Sequence, residues 1–129
     1  MANELSSRAA LRRIMVVDDH AASAALLAEL LNLEGYAVDV AHNGRDALAA
    51  ARQFKPRIAL LDIGLPDMDG FALARLFKAD PQLQQIRLVG LSGYAQSAGM
   101  TRSDMRGFDD YLVKPVDVEQ LLTVLRRLA

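Results

Sequence analysis

The chain has 129 residues, a formal net charge of -1, an apolar fraction of 52% and no cysteine. This length suits one domain with a core of its own. The composition excludes a disordered chain, and the lack of cysteine excludes a disulfide framework, a thiol nucleophile and thiolate metal sites. The basic residues are spread along the chain, which argues against nucleic acid as a partner. No apolar run reaches the roughly 20 residues of a membrane span, and the absence of cysteine fits a reducing, cytoplasmic setting.

Residues 1–12 read as a polar, mobile lead-in without the continuous apolar stretch of a signal peptide. The domain proper is expected over 13–129. Its first apolar run, Ile14-Met15-Val16-Val17, stops at Asp18 and Asp19. Leu26, Leu27, Leu30, Leu31 and Leu33 then recur at helical spacing as far as Gly35, a C-terminal cap. From Tyr36 to Ala41, Val38 and Val40 alternate with Asp39, the pattern of a half-exposed edge strand. Asn43 caps a second helix carrying Ala47, Leu48, Ala51 and Phe54, which Pro56 ends.

Ile58 to Leu61 is apolar throughout, as a strand covered on both faces should be, and it stops at Asp62. After a loop from Ile63 to Gly70, a third helix presents Phe71, Ala74 and Phe77 and ends near Asp80-Pro81. Asp69 reads as its cap and Asp67 as turn chemistry. Ile86 to Leu91 is the fourth strand, ending at Ser92-Gly93. A weak fourth helix spans Ala95 to Gly107, with Gly99 inside it. Tyr111 to Val113 is the fifth strand and ends at Lys114-Pro115. Asp117 caps the last helix, in which Val118, Leu121, Leu122, Leu125 and Leu128 form one apolar stripe. Strands alternating with helices predict a parallel sheet with helices on both faces.

In such a sheet every strand ends at one edge, where doubly wound proteins bind ligands. Asp18, Asp19, Asp62, Ser92 and Lys114 should therefore meet in space. Carboxylates held together repel one another, and a hard divalent cation relieves this. Mg²⁺ suits an incomplete cage of oxygens that leaves room for water and phosphate. Lys114 brings positive charge for a phosphoryl oxygen and Ser92 a hydroxyl that can bond one. Taken singly, these residues are more often caps, solvated turns or surface lysines. Their coincidence at four of five strand ends carries the reading. His20 and His42 each stand without a second histidine at ligand spacing and read as exposed. The residue types do not choose a nucleophile among Asp18, Asp19 and Asp62.

Val16-Val17-Asp18-Asp19, the stretch Leu60-Leu61-Asp62-Ile63-Gly64-Leu65-Pro66-Asp67-Met68-Asp69-Gly70, Ser92-Gly93 and Tyr111-Leu112-Val113-Lys114-Pro115 together resemble the response-regulator receiver domains of two-component signalling. The resemblance runs from Arg13 to Leu128. It implies a flavodoxin-like fold with strand order 2-1-3-4-5 and Asp62 as the phosphoacceptor. It implies Mg²⁺, with Mn²⁺ as a substitute, held by Asp18, Asp19, Asp62 and the backbone carbonyl of Gly64. Lys114 would contact the phosphoryl group across a cis Lys114-Pro115 peptide, and Ser92 and Tyr111 would form a switch pair. The implied donor is a sensor histidine kinase or a histidine phosphotransfer protein. The implied output is a downstream protein bound through the fourth helix, fifth strand and fifth helix. The domain would catalyse only its own phosphorylation and dephosphorylation, either as a stand-alone regulator or as part of a hybrid kinase.

Two other classes compete. A haloacid-dehalogenase-type phosphohydrolase also uses an aspartate at a strand end, but it resembles a pattern with a second acid two residues on, where this chain has Gly64. A module that only binds partners would not need the full set of acids with Lys114.

Overall fold

The computed structural model describes residues 12–93 and 107–129. Its elements are β1 (Arg13–Val17), α1 (Ala21–Leu33), β2 (Ala37–Ala41), α2 (Gly44–Phe54), β3 (Ile58–Asp62), α3 (Gly70–Ala79), β4 (Arg87–Ser92), β5 (Asp110–Val113) and α4 (Val118–Leu128). The lead-in up to Leu11 and the expected helix from Ala95 lie outside the described residues, Gly107 apart. All strand pairs are parallel, in the order β2-β1-β3-β4-β5, the flavodoxin-like arrangement.

The period-two geometry of a strand sends alternate side chains to opposite faces. Ile14 and Val16 of β1, with Ile58 and Leu60 of β3, join the apolar layer that includes Ala24 and Leu31 of α1 and Leu121 and Leu125 of α4. Met15, Val17, Ala59 and Leu61 join the other layer, with Ala47 and Ala51 of α2 and Leu73 and Phe77 of α3. Continuous apolar runs were thus required of β1 and β3, because both of their faces are covered. At the edge, β2 shows only half-buried residues at Val38, Asp39 and Val40.

Helix ends follow local chemistry. The side chains of Asn43, Asp69 and Asp117 accept bonds from the backbone N–H of Asp46, Ala72 and Gln120, one cap for each of α2, α3 and α4. Gly35 takes a left-handed φ of 93° just after α1. The stripe expected on the last helix is buried at Leu121, Leu122, Leu125 and Leu128, whereas Val118 is exposed. Val118 lies in the first turn and lines an open groove with Pro115, Val116 and Leu26, Leu27 and Leu30 of α1, so one side of it faces solvent.

α2 stops differently. Lys55 adopts a left-handed conformation, φ 52° and ψ 61°, directly before Pro56. The ring of Pro56 disfavours a helical Lys55, and the alternative adopted here strains an L side chain by about 1–2 kcal/mol. Lys55→Gly should therefore stabilise the protein by roughly 0.5–1 kcal/mol, the gain in αL compatibility exceeding the entropy that glycine adds to the unfolded chain. Chemical denaturation of the variant against Lys55→Ala checks this, and equal stabilities would show that the left-handed turn carries no strain.

Candidate functional site

The chain leaves β1 for β2 on one side and reaches β3 on the other, so the crevice opens between the C-terminal ends of β1 and β3. Asp18 follows β1 and Asp62 ends β3; they are 3% and 4% exposed, an unusual depth for carboxylates. Lys114, just past β5, reaches across to both. Its Nζ lies 2.9 Å from Asp62 Oδ2 and 3.3 Å from Asp18 Oδ2. The Lys114 backbone N–H donates to Ser92 O at 2.8 Å, which fixes where the side chain starts. The Lys114-Pro115 peptide is cis.

Charge explains the protonation states. Burial works to raise the Asp18 pKa, but the His20 N–H bond and the Lys114 ammonium outweigh it and hold the carboxyl below its ordinary range. Burial likewise works to lower Lys114, and Asp62 and Asp18 reverse this and raise it. Asp18, Asp19 and Asp62 bring three negative charges against the one of Lys114, so the site still favours a further cation.

Backbone bonds hold Asp18 and Asp62 in place. Asp18 N–H donates to Ala41 O at 3.0 Å, and His20 N–H donates to Asp18 Oδ1 at 2.9 Å. His42 Nδ1 lies 2.9 Å from the Asp18 carbonyl, which only an N–H can satisfy, so that nitrogen carries the proton. Asp62 Oδ1 accepts from Gly64 N–H at 3.1 Å. Gly70 N–H donates to Ile63 O at 2.8 Å, and a Cβ at Gly70 would stand 2.7 Å from Ile63 Cα and 2.8 Å from Asp62 O. These are backbone atoms that cannot give way, so only glycine closes the loop that carries Gly64 back onto β3.

One atom each of Asp18, Asp19, His20 and Asp62 lies within 4.8 Å of the others, a spacing compatible with a shared metal ion. The acids match the sequence expectation. His20 does not: it is exposed as expected, yet it belongs to the cluster. Only one signal could have flagged it, its place directly after Asp18-Asp19 at the cap of α1.

Asp67 also exceeds its sequence reading. Its Oδ1 and Oδ2 accept from Gly44 N–H at 2.8 Å and Arg45 N–H at 3.0 Å, so it caps α2 from 23 and 22 residues away. Beside it, Met68 covers Gly44 so closely that a Cβ there would lie 2.7 Å from Met68 Cγ. The loop after Asp62 is thereby bolted to the start of α2. Ser92 is buried at the end of β4. Tyr111 packs against Phe108 with ring centroids 4.9 Å apart, and its ring lies over Gly90, where a Cβ would be 2.6 Å from Tyr111 Cε1.

The doubly wound domain thus has an acidic pocket with a lysine aimed into it, and no helix among its described residues is long and apolar enough to cross a membrane. The chain belongs to the response regulator receiver domain family, which matches residues 14–126. Protein PilH of Pseudomonas aeruginosa is 35% identical over 88% of this chain and 93% of its own length. A CheY-like receiver domain from Methylobacillus flagellatus superposes with a TM-score of 0.84 at 30% identity, covering 92% of this chain and 98% of that one. TrrA from Thermotoga maritima, solved with Mg²⁺ and BeF, superposes with a TM-score of 0.81 at 29% identity over 92% of this chain and 99% of its own. Both the fold and the family expected from the sequence are therefore those of this chain.

Asp67 yields a pH prediction. The Gly44 N–H bond, opposed by slight desolvation and helped by the Arg45 N–H, holds the carboxyl of this exposed residue below the ordinary 3.8. A depressed folded pKa means stability that is present above the unfolded value and lost as pH falls through the folded one. Asp67→Ala should cost about 1 kcal/mol near neutrality, and the difference from the parent should shrink at pH values below 3.8. Denaturation midpoints across pH measure it, and a pH-independent difference would rule out the charged cap.

Proposed function

We propose that this domain accepts a phosphoryl group on Asp62 from the phosphohistidine of a sensor kinase or phosphotransfer protein, and thereby switches a protein-contact surface. The observation that carries the reading is the buried Asp62 carboxylate, held by Lys114 Nζ at 2.9 Å beside the second buried acid Asp18. In this reading an Asp62 oxygen attacks phosphorus, a P–O bond forms, the P–N bond breaks, and the departing imidazole nitrogen keeps the electron pair and takes up a proton. Lys114 pairs with the transferred oxygens, and Gly64 N–H keeps the carboxylate oriented.

The donor set fits Mg²⁺, or Mn²⁺ in its place: three carboxylates meet at one sheet edge, and in this reading the Gly64 backbone carbonyl adds a fourth oxygen. When bound, the metal supplies positive charge that lowers the repulsion between the incoming phosphoryl oxygens and the carboxylates. A weak nucleophile then suffices.

Support for a protein donor comes from the surroundings. A groove of about 510 Å³ runs from Asp18 and Lys114 between α1 and the Pro115–Val118 segment, lined by Leu26, Leu27, Leu30 and Val116. A small phosphodonor would not need this apolar approach. The reading also includes a cytoplasmic location and no turnover of a separate substrate. Mg²⁺ and a small phosphodonor such as acetyl phosphate should add one acid-stable, base-labile phosphate to the intact mass. Chelator should prevent the addition, as should Asp62→Asn. Persistence of the phosphate in Asp62→Asn would refute the acceptor assignment.

For output, Ser92 bonds the phosphoryl group in this reading, and the Tyr111 ring responds. The support is proximity: the ring rests on Gly90, two residues before Ser92 on the same strand face. Ser92→Ala should still take up phosphate yet show a smaller change in amide exchange at Tyr111 on phosphorylation. A response equal to that of the parent would place the output elsewhere.

A further inference from the structure

The acids of the pocket are oxygen donors throughout, but the cluster also holds a nitrogen. His20 Nδ1 lies 3.3 Å from Asp18 Oδ1 and 3.3 Å from Asp19 Oδ1. Ligands at right angles on one ion, each about 2.1 Å from it, stand about 3.0 Å apart, and opposed ligands about 4.2 Å apart. The two 3.3 Å separations approach the first of these values, and the 4.8 Å limit on the whole set lies slightly above the second. A modest contraction would therefore bring imidazole and carboxylates onto one centre. Among the described residues the imidazole's polar contacts are those two carboxylate oxygens, each at a length marginal for a hydrogen bond.

The backbone fixes this aim. His20 caps α1 through its backbone alone: Ala24 N–H donates to His20 O at 2.9 Å, and no side-chain cap bond forms. Its N–H is used on Asp18 Oδ1, in a tight turn that points the ring back over the acids. The side chain is 70% exposed, so a ligand can reach it without unfolding anything.

We infer that His20 is an additional ligand of the metal pocket, which makes the site select borderline transition cations of the Ni²⁺ or Zn²⁺ kind over Mg²⁺ more strongly than its carboxylates alone would. Imidazole suits these ions, whereas Mg²⁺ takes oxygen. A cation bound through His20 would compete with Mg²⁺ for Asp18, Asp19 and Asp62, so the domain would respond to the transition metal in its surroundings. The inference rests on the metal-assisted phosphoacceptor reading for the location of the pocket.

The test is calorimetric titration of the untagged full chain with Mg²⁺ and, separately, with Ni²⁺, for the parent and for His20→Asn. Asparagine is a strong helix cap, so the exposed substitution keeps α1 intact. His20→Asn should lose about tenfold or more in Ni²⁺ affinity, the scale of one metal contact, while its Mg²⁺ affinity changes by less than about half that factor on a logarithmic scale. A second readout is the His20 ring signal in NMR spectra, which Ni²⁺ should broaden before the His42 signal. If the Ni²⁺ to Mg²⁺ affinity ratio is the same in both proteins, His20 is not a ligand and the inference falls alone. If Mg²⁺ and Ni²⁺ both fail to bind the parent, the metal pocket and this inference fall together. If Ni²⁺ binds through His20 and Mg²⁺ does not bind, the inference stands and the Mg²⁺ reading falls.

Discussion

Everything in this domain is arranged around the convergence of like charge at one end of a sheet. Asp18 and Asp62 are almost wholly buried, and they stand at the C-terminal ends of adjacent strands. Two carboxylates about 4 Å apart repel by roughly 4 kcal/mol at an effective dielectric constant of 20. Lys114 is the counterweight. It contacts both carboxylates from beyond β5, across the width of β4. Parallel pairing makes this reach possible, because it brings the ends of β1, β3, β4 and β5 to one edge. The two-sided apolar layers in turn make parallel pairing stable.

Around that pair, the loops are fixed by bonds that carry no apolar content. Asp67 ties the segment after Asp62 to α2, and Gly70 lets the same segment fold back against Asp62 O. His42, at the end of β2, grips the carbonyl of Asp18. Such pinning sets the carboxylates' orientation before any ligand arrives. Lys114 has the opposite character. Its side chain is 29% exposed and its stem is flexible, so it can follow oxygens that move. The pocket thus combines a rigid acidic floor with one mobile cation.

Most of the fold was legible because it depends on short-range regularities. Short apolar runs, the alternation in β2 and helical spacing located every described strand and helix, and the caps at Asn43, Asp69 and Asp117 stand where their side-chain chemistry placed them. The acids and Lys114 were legible for a related reason: strand ends can be read from the chain, and the topology gathers them. What escaped was side-chain traffic between loops. Asp67 looked like a turn residue because its partners, Gly44 and Arg45, lie far back in sequence and offer only backbone N–H groups, which every residue has. His20 looked isolated because ligand spacing was sought between histidines, while its neighbours in space are carboxylates. Val118 fits the helical stripe but lines an open groove instead of the core. Choosing Asp62 over Asp18 rested on family resemblance, since charge and burial make the two nearly equivalent.

That choice is the centre of the account, and locating the phosphoryl group tests it most directly. Reduction of the phosphorylated domain with borohydride converts an acyl phosphate on aspartate to a distinct alcohol, and peptide sequencing then finds the altered position. The account predicts a single altered residue at 62, at the end of β3. Modification at Asp18 or Asp19, or a phosphate retained on Ser92 or His20, would contradict it.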